Sequence, residues 1–184
     1  MRPVRVGAAT VAGRSPLFPW RKFAGPVTAA LVLTLADQGT KAWIVRHFDL
    51  YEARAVLPDF FHIVHVRNTG VAFGFLSSLD PAWVNPLLIA ATIFAVFAVL
   101  GYLYYLPGRG PAPCGLGLVL GGAVGNLIDR ARLGYVVDFL DVHWHRYHWP
   151  AFNVADIGIS VGIGLLILDM IFWSREDAGA PGPR

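Results

Sequence analysis

The chain has 184 residues, of which 55% are hydrophobic and 15% charged, and its mean hydropathy is +0.54. Soluble domains carry about 25% charged residues, so the composition excludes an ordinary soluble enzyme and points to a membrane protein. The net charge of +3 rests on 15 basic residues, only two of them lysines (Lys22 and Lys41). They are scattered, without the basic stripe and interleaved aromatics of a nucleic-acid site, so no nucleic-acid partner is expected.

Residues 1–22 contain Arg2, Arg5, Arg14, Arg21 and Lys22, no acid, three prolines and no unbroken apolar core of signal-peptide length. They read as a flexible cytoplasmic tail. Residues 23–36 are uncharged and apolar, and the stretch continues through Asp37 and Lys41 towards Val45 as a first span. In the loop 46–85, the run 60–66 is aromatic and β-branched, as a strand should be. Arg67, Asn68, Thr69 and Gly70 turn the chain, and 71–76 return as a second apolar run. These predict a small sheet at the membrane surface, lying over a polar site.

Residues 86–106 form a clean apolar stretch, close to the ~20 residues a helix needs to cross the hydrocarbon. The third stretch, 111–128, is uncharged and begins near Cys114, a single cysteine that excludes an intrachain disulfide. Its glycines at Gly117, Gly121 and Gly125 make a small-xxx-small face for close helix packing. The fourth, 157–168, extends to Trp173 and is interrupted only by Asp169, read as an acid snorkelling to the inner face.

Four spans place both termini on one side, and the basic tail makes that side cytoplasmic. The loops 46–85 and 131–150, which hold all six histidines, then face outward. The fold class is an all-α membrane protein with a small β element: four transmembrane helices plus a small extracytoplasmic sheet. Residues 1–22 and 175–184 are cytoplasmic tails flanking a unit at 23–174.

Polar residues gather at one depth. Asp37 and Lys41 close the first span on its outward side, Asn126, Asp129 and Arg130 close the third, and Asn153 and Asp156 open the fourth. Three helices thus carry costly groups to the outer surface, and charge at such depth is rarely without function. Asn126, Asp129 and Arg130 share a helix face by their i, i+3, i+4 spacing, and an Asp129–Arg130 ion pair is the default expectation. Asn126 and Asn153 are placed to donate to a carboxylate or a peptide oxygen.

Asp138 lies among apolar neighbours in the loop after the third span, and Asp156 follows at the start of the fourth. Two carboxylates in a poorly solvated place cannot both ionise easily, so the pair shares a proton. One member then takes a proton from water while the other polarises a carbonyl, as in aspartic proteases, with no metal or cofactor. The same residues also admit a structural reading, in which each acid caps a helix or pairs with arginine; Asp156 suits a helix N-terminus. Two further classes stay open on residues alone. Buried acids serve as relays in ion carriers, and His143, His145 and His148 near Asp141 and Asp138 suggest a metal-dependent hydrolase. The histidine spacing fits no tight metal motif, and with Trp144, Tyr147 and Trp149 interleaved it reads as an interfacial aromatic belt, so no metal is expected. A serine-protease reading is weaker still, because Ser160 lies inside the fourth span with no nearby base.

Five ordered segments resemble bacterial lipoprotein signal peptidase (signal peptidase II): Asp37-Gln38-Gly39-Thr40-Lys41, 68–74 (Asn-Thr-Gly-Val-Ala-Phe-Gly), 121–130 (ending Asn126-Leu127-Ile128-Asp129-Arg130), Val136-Val137-Asp138-Phe139 and Phe152-Asn153-Val154-Ala155-Asp156. The likeness covers about residues 25–173. It implies a four-helix inner-membrane aspartic protease that cleaves prolipoproteins just before a diacylglyceryl-modified cysteine, making 23–174 a transmembrane peptidase domain. It further implies Asp138 and Asp156 as catalytic residues, with Asp37, Lys41, Asn68, Gly122, Asn126, Asp129, Arg130 and Asn153 binding substrate or supporting the site. Membrane lipids and the lipid-modified substrate are the implied partners, globomycin the implied inhibitor, and a monomer the implied state. Val71 stands where alanine is usual, and the N-terminal tail is longer than expected.

Overall fold

The computed structural model describes residues 20–70, 81–106 and 110–172. Four helices, α1 (Trp20–His47), α2 (Pro81–Tyr105), α3 (Ala112–Leu133) and α4 (Val154–Phe172), account for most of it. Four short strands, β1 (Ala53–Leu57), β2 (Phe61–Asn68), β3 (Val136–Trp144) and β4 (Tyr147–His148), form one antiparallel sheet in the order β1-β2-β3-β4. Three of the helices, over Ala82–Tyr105, Ala112–Leu133 and Val154–Phe172, are long and apolar enough to cross a membrane. Large apolar side chains on their outer faces, among them Phe94, Phe97, Ile167 and Met170, are exposed, a surface suited to lipid rather than water.

Helix α3 is the axis of the bundle and packs against α1, α2 and α4. Its glycines work on two faces. A Cβ on Gly117 or Gly121 would run into the α1 backbone at Pro26 or Ala30. On the other face, a Cβ on Gly115 would lie 2.7 Å from the Gly162 carbonyl oxygen of α4, and one on Gly122 would collide with Ala155 and Ile159. The small-residue stripe is therefore a packing device, as its spacing suggested. Leu103, Leu106, Ala112 and Leu116 form a small core where α2 meets α3. Helix α3 ends at Gly134, whose φ of 82° lets its N–H reach back to the Arg130 carbonyl at 3.1 Å.

The helices extend past the stretches expected from the sequence because their ends are polar: α2 begins at Pro81 rather than 86, and α3 runs on to Leu133 rather than 128. The sheet is a larger correction. Of the expected run 60–66, residues 61–66 do form strand, as part of β2, but β2 continues through Asn68 instead of turning at 67–70. Its partners are β1 and β3, with His62 opposite Asp141 and Asn68 opposite Val136. Asp138 accordingly stands on a strand and not in a loop. The second apolar run expected at 71–76 and the tails at 1–19 and 173–184 lie outside the described residues.

Candidate active site

Helix α4 is tied to the sheet just before it begins. The Phe152 N–H donates to Leu140 O at 3.0 Å, and the Phe139 and Leu140 N–H groups donate to Phe152 O. This bridge sets Asn153, and the first turn of α4, beside β3. Asn153 then caps the helix: its Oδ1 accepts the Asp156 N–H at 3.0 Å, and the Asp156 carboxylate accepts the Asn153 N–H at 3.2 Å. The reciprocal pair is a capping box built from Asn and Asp.

The side chain of Asn153 also faces the other way. Its Nδ2 donates to Asp138 Oδ1 at 2.7 Å, so one residue holds both aspartates, one by its backbone and one by its amide. Asn68 Nδ2 donates to Asp138 Oδ2 at 2.9 Å from β2, and Asn126 Nδ2 donates to Asp156 Oδ1 at 2.9 Å from α3. Each carboxylate thus accepts two neutral N–H donors, and among the described residues no cation lies within ion-pair distance of either. Burial pushes the Asp138 carboxyl up to about 6, and the charge of Asp156 adds to the rise, against the opposing pull of the Asn68 and Asn153 hydrogen bonds.

A second set of acids lies alongside, and here the charges are paired. Lys41 Nζ sits 2.8 Å from Asp37 Oδ2 and 3.0 Å from Asp129 Oδ2, all three side chains at least 96% buried. Gln38 Nε2 donates to Asp129 Oδ1 at 2.9 Å and to Gly125 O at 3.1 Å. Both acids also hold backbone: Asp37 Oδ1 accepts the Ala155 N–H of α4 at 3.0 Å, and Asp129 Oδ2, besides facing Lys41, accepts the Val137 N–H of β3 at 3.1 Å. Lys41 also donates to Asn126 Oδ1 at 3.0 Å, which turns the Asn126 amide so that its NH₂ faces Asp156.

The polar convergence expected of the three helices is therefore present, and the sheet adds Asn68 and Asp138 to it. Two pairings differ from expectation. Asp129 is matched with Lys41 from another helix, whereas its neighbour Arg130 points elsewhere and donates through Nη2 to Gly70 O at 3.4 Å. Adjacent helical residues diverge by about 100°, which is why sequence proximity misleads. Asp169 does not snorkel; its Oδ1 accepts the Ala112 N–H at 3.2 Å and caps α3. Gly122 supplies no group and serves by letting α4 approach.

Two further residues, Gln38 and Asn85, join this network although sequence pattern alone does not single them out. Gln38 binds the carboxylates of Asp37 and Asp129, and Asn85 Nδ2 donates to Arg130 O at 3.3 Å. Gln38 does carry a signal, as a polar residue at the same depth as Asp37 and Lys41; Asn85 stands at a span edge, where polarity is ordinary.

Residues 29–172 match the family model described as signal peptidase (SPase) II. The lipoprotein signal peptidase of Syntrophotalea carbinolica is 51% identical over 139 residues, covering 76% of this chain and 86% of its own length. That of Geobacter metallireducens is 46% identical over 160 residues, covering 86% and 96% respectively. A solved bacterial membrane enzyme superposes with a TM-score of 0.70 at 28% identity, covering 88% of this chain and 95% of its own. An integral membrane chain with this much of its length in common with those proteins belongs to the signal peptidase II family, and its enzymatic class is protease.

Proposed function

We propose that the chain is an intramembrane aspartic endopeptidase that removes the signal peptide from diacylglyceryl-modified prolipoproteins, cutting on the N-terminal side of the lipidated cysteine. The observation that carries this reading is the double use of Asn153, which holds Asp138 and Asp156 on one residue with no cation paired to either among the described residues. Asp138, with its carboxyl lifted to about 6, keeps the shared proton and donates it to the scissile carbonyl oxygen. Asp156 takes a proton from the attacking water, and the tetrahedral intermediate collapses as the leaving amine is protonated. Asn68, Asn126 and Asn153 hold the two carboxylates in register through this exchange, and Arg130, with its guanidinium on Gly70 O, orders the end of β2 beside the substrate.

The remainder of the reading follows from where such a substrate sits. A lipidated cysteine keeps its acyl chains in the bilayer, so its scissile bond lies near the interface, the depth at which the polar residues meet. In this reading α1 is the fourth span, 23–174 is the peptidase domain, the sheet faces outward over the bacterial inner membrane, and both termini are cytoplasmic. The enzyme works as a monomer and globomycin competes for the site. The test is incubation of purified protein with a diacylglyceryl-modified prolipoprotein, with and without globomycin. Release of the signal peptide, blocked by globomycin and lost in both Asp138→Asn and Asp156→Asn, is expected. Full cleavage by either variant would remove the dyad from the mechanism.

A further inference from the structure

The histidines gather away from the two candidate catalytic aspartates, in a combination that their spacing did not suggest. On β3, Asp141 and His143 are two residues apart and share a face, whereas strand alternation sends Asp138 to the other. The ladder sets His62 of β2 opposite Asp141 and His148 of β4 opposite His143. One ligand atom from each of His62, Asp141 and His143 lies within 4.8 Å of the others. His145, by contrast, contributes only its carbonyl.

The decisive observation is His143. The residue is 6% exposed, and its Nε2 is buried without a hydrogen-bond partner. Its Nδ1 faces the His145 carbonyl at 3.2 Å. A carbonyl only accepts, so Nδ1 carries the proton and Nε2 is left with a lone pair. Metal-ligating histidines are held in this way, one nitrogen fixed by a carbonyl and the other offered to the ion. A buried nitrogen left without a partner is otherwise costly. The neighbours are prepared as well. The His143 ring stacks on His148 at 4.5 Å and lies 4.4 Å from His62, and His148 Nδ1 sits 3.0 Å from both Asp141 oxygens.

We propose that His62, Asp141 and His143 bind a zinc-class divalent ion on the sheet, with His148 steadying the Asp141 carboxylate as its outer partner. Two imidazoles and one carboxylate suit Zn²⁺, with a fourth position left for water, and they do not suit Mg²⁺ or Ca²⁺, which take oxygen ligands. The ion would clamp β2 to β3, the two strands that carry Asn68 and Asp138, and so brace the site from a distance. This reopens the expectation that these histidines hold no metal.

The test uses untagged full-length protein in detergent, stripped with chelator and titrated with Zn²⁺ alone by calorimetry. One equivalent should bind, with affinity falling about ten-fold or more in His62→Gln and in His143→Gln. Asp138→Asn and His47→Gln should bind as the parent does. Zinc should also protect the half-buried His62, but not the exposed His47, from diethyl pyrocarbonate in the unaltered protein, a readout that does not depend on any variant folding. Absence of one-equivalent binding, binding that survives both glutamine variants in folded protein, or protection that misses His62 would overturn the site.

Discussion

Asp37 and Asp129, on α1 and α3, are held in a different way from Asp138 and Asp156, on β3 and α4, although Asn126 touches both sets. The first pair is matched by Lys41 at 2.8 and 3.0 Å and satisfied further by Gln38 and by two backbone N–H groups. Among the described residues, the second pair has only amide donors. The first pair is locked into an ionic network with a buried lysine, whereas the second is held by neutral hydrogen-bond donors. The difference separates acids that fasten α1, α3, α4 and β3 together from acids available for chemistry.

The sharpest way to break this contrast is to remove a charged group from each set. Asp138→Asn and Asp156→Asn should lower kcat on a lipidated precursor by about 10³-fold or more, since each removes a proton-transfer group, while the melting temperature is largely kept. Lys41→Met should act in the opposite sense. It leaves two carboxylates buried without their cation, a loss of about 3–5 kcal/mol, seen as a fall in thermal stability in detergent. A Lys41→Met protein as stable as its parent would show that the ionic network is not structural, and the contrast would fail.

The pH dependence of Asp138 offers a second test. Its carboxyl is raised from 3.8 to about 6 in the folded chain, so the folded state binds that proton more tightly than the unfolded state does. The stabilisation from this group is complete below pH 3.8 and is lost as pH rises through about 6, at most about 3 kcal/mol. Asp138→Asn has no proton to lose. Its melting temperature relative to the parent should therefore climb between about pH 4 and about pH 6 and level off above that, and parallel curves for the two proteins would contradict the burial of an uncompensated acid.

Much of this arrangement is legible in the amino-acid sequence, for physical reasons that can be named. Polar residues in an apolar chain are costly, so Asp37, Lys41, Asn126, Asp129, Asn153 and Asp156 stand out, and their common depth follows from the span ends. What stays hidden is what depends on register. Residues 60–66 read as strand, yet nothing in them says that β3, seventy residues on, is the partner that brings Asp138 to Asn68. Asp129–Arg130 looks like an ion pair because the residues adjoin, and only helix packing shows Lys41 arriving from α1. His62 reads as a strand residue and His143 as part of an aromatic belt; their meeting across β2 and β3 is again a matter of register.

Glycine substitutions probe how the two sets of acids depend on helix approach, with smaller effects. A Cβ at Gly125 would lie 2.6 Å from Asp37 Oδ2 and 3.4 Å from Ala155 Cβ, so Gly125→Ala presses on the paired acids. A Cβ at Gly122 would strike the Ala155 carbonyl and the Ile159 side chain, pushing the start of α4 away from α3 and stretching the Asn126–Asp156 hydrogen bond. Overpacking of this kind costs about 1–3 kcal/mol. Stability should drop in both, but catalysis should separate them. Gly122→Ala displaces Asp156 and should lower kcat beyond what its loss of stability explains, whereas Gly125→Ala, acting on acids already neutralised by Lys41, should lose stability first. Gly101→Ala, where a Cβ meets nothing within 4 Å, should leave both unchanged or gain a few tenths of a kcal/mol from helix propensity. Equal kinetic losses in Gly122→Ala and Gly125→Ala would mean that the two sets of carboxylates respond as one unit, and that the lysine does not insulate the first from the chemistry of the second.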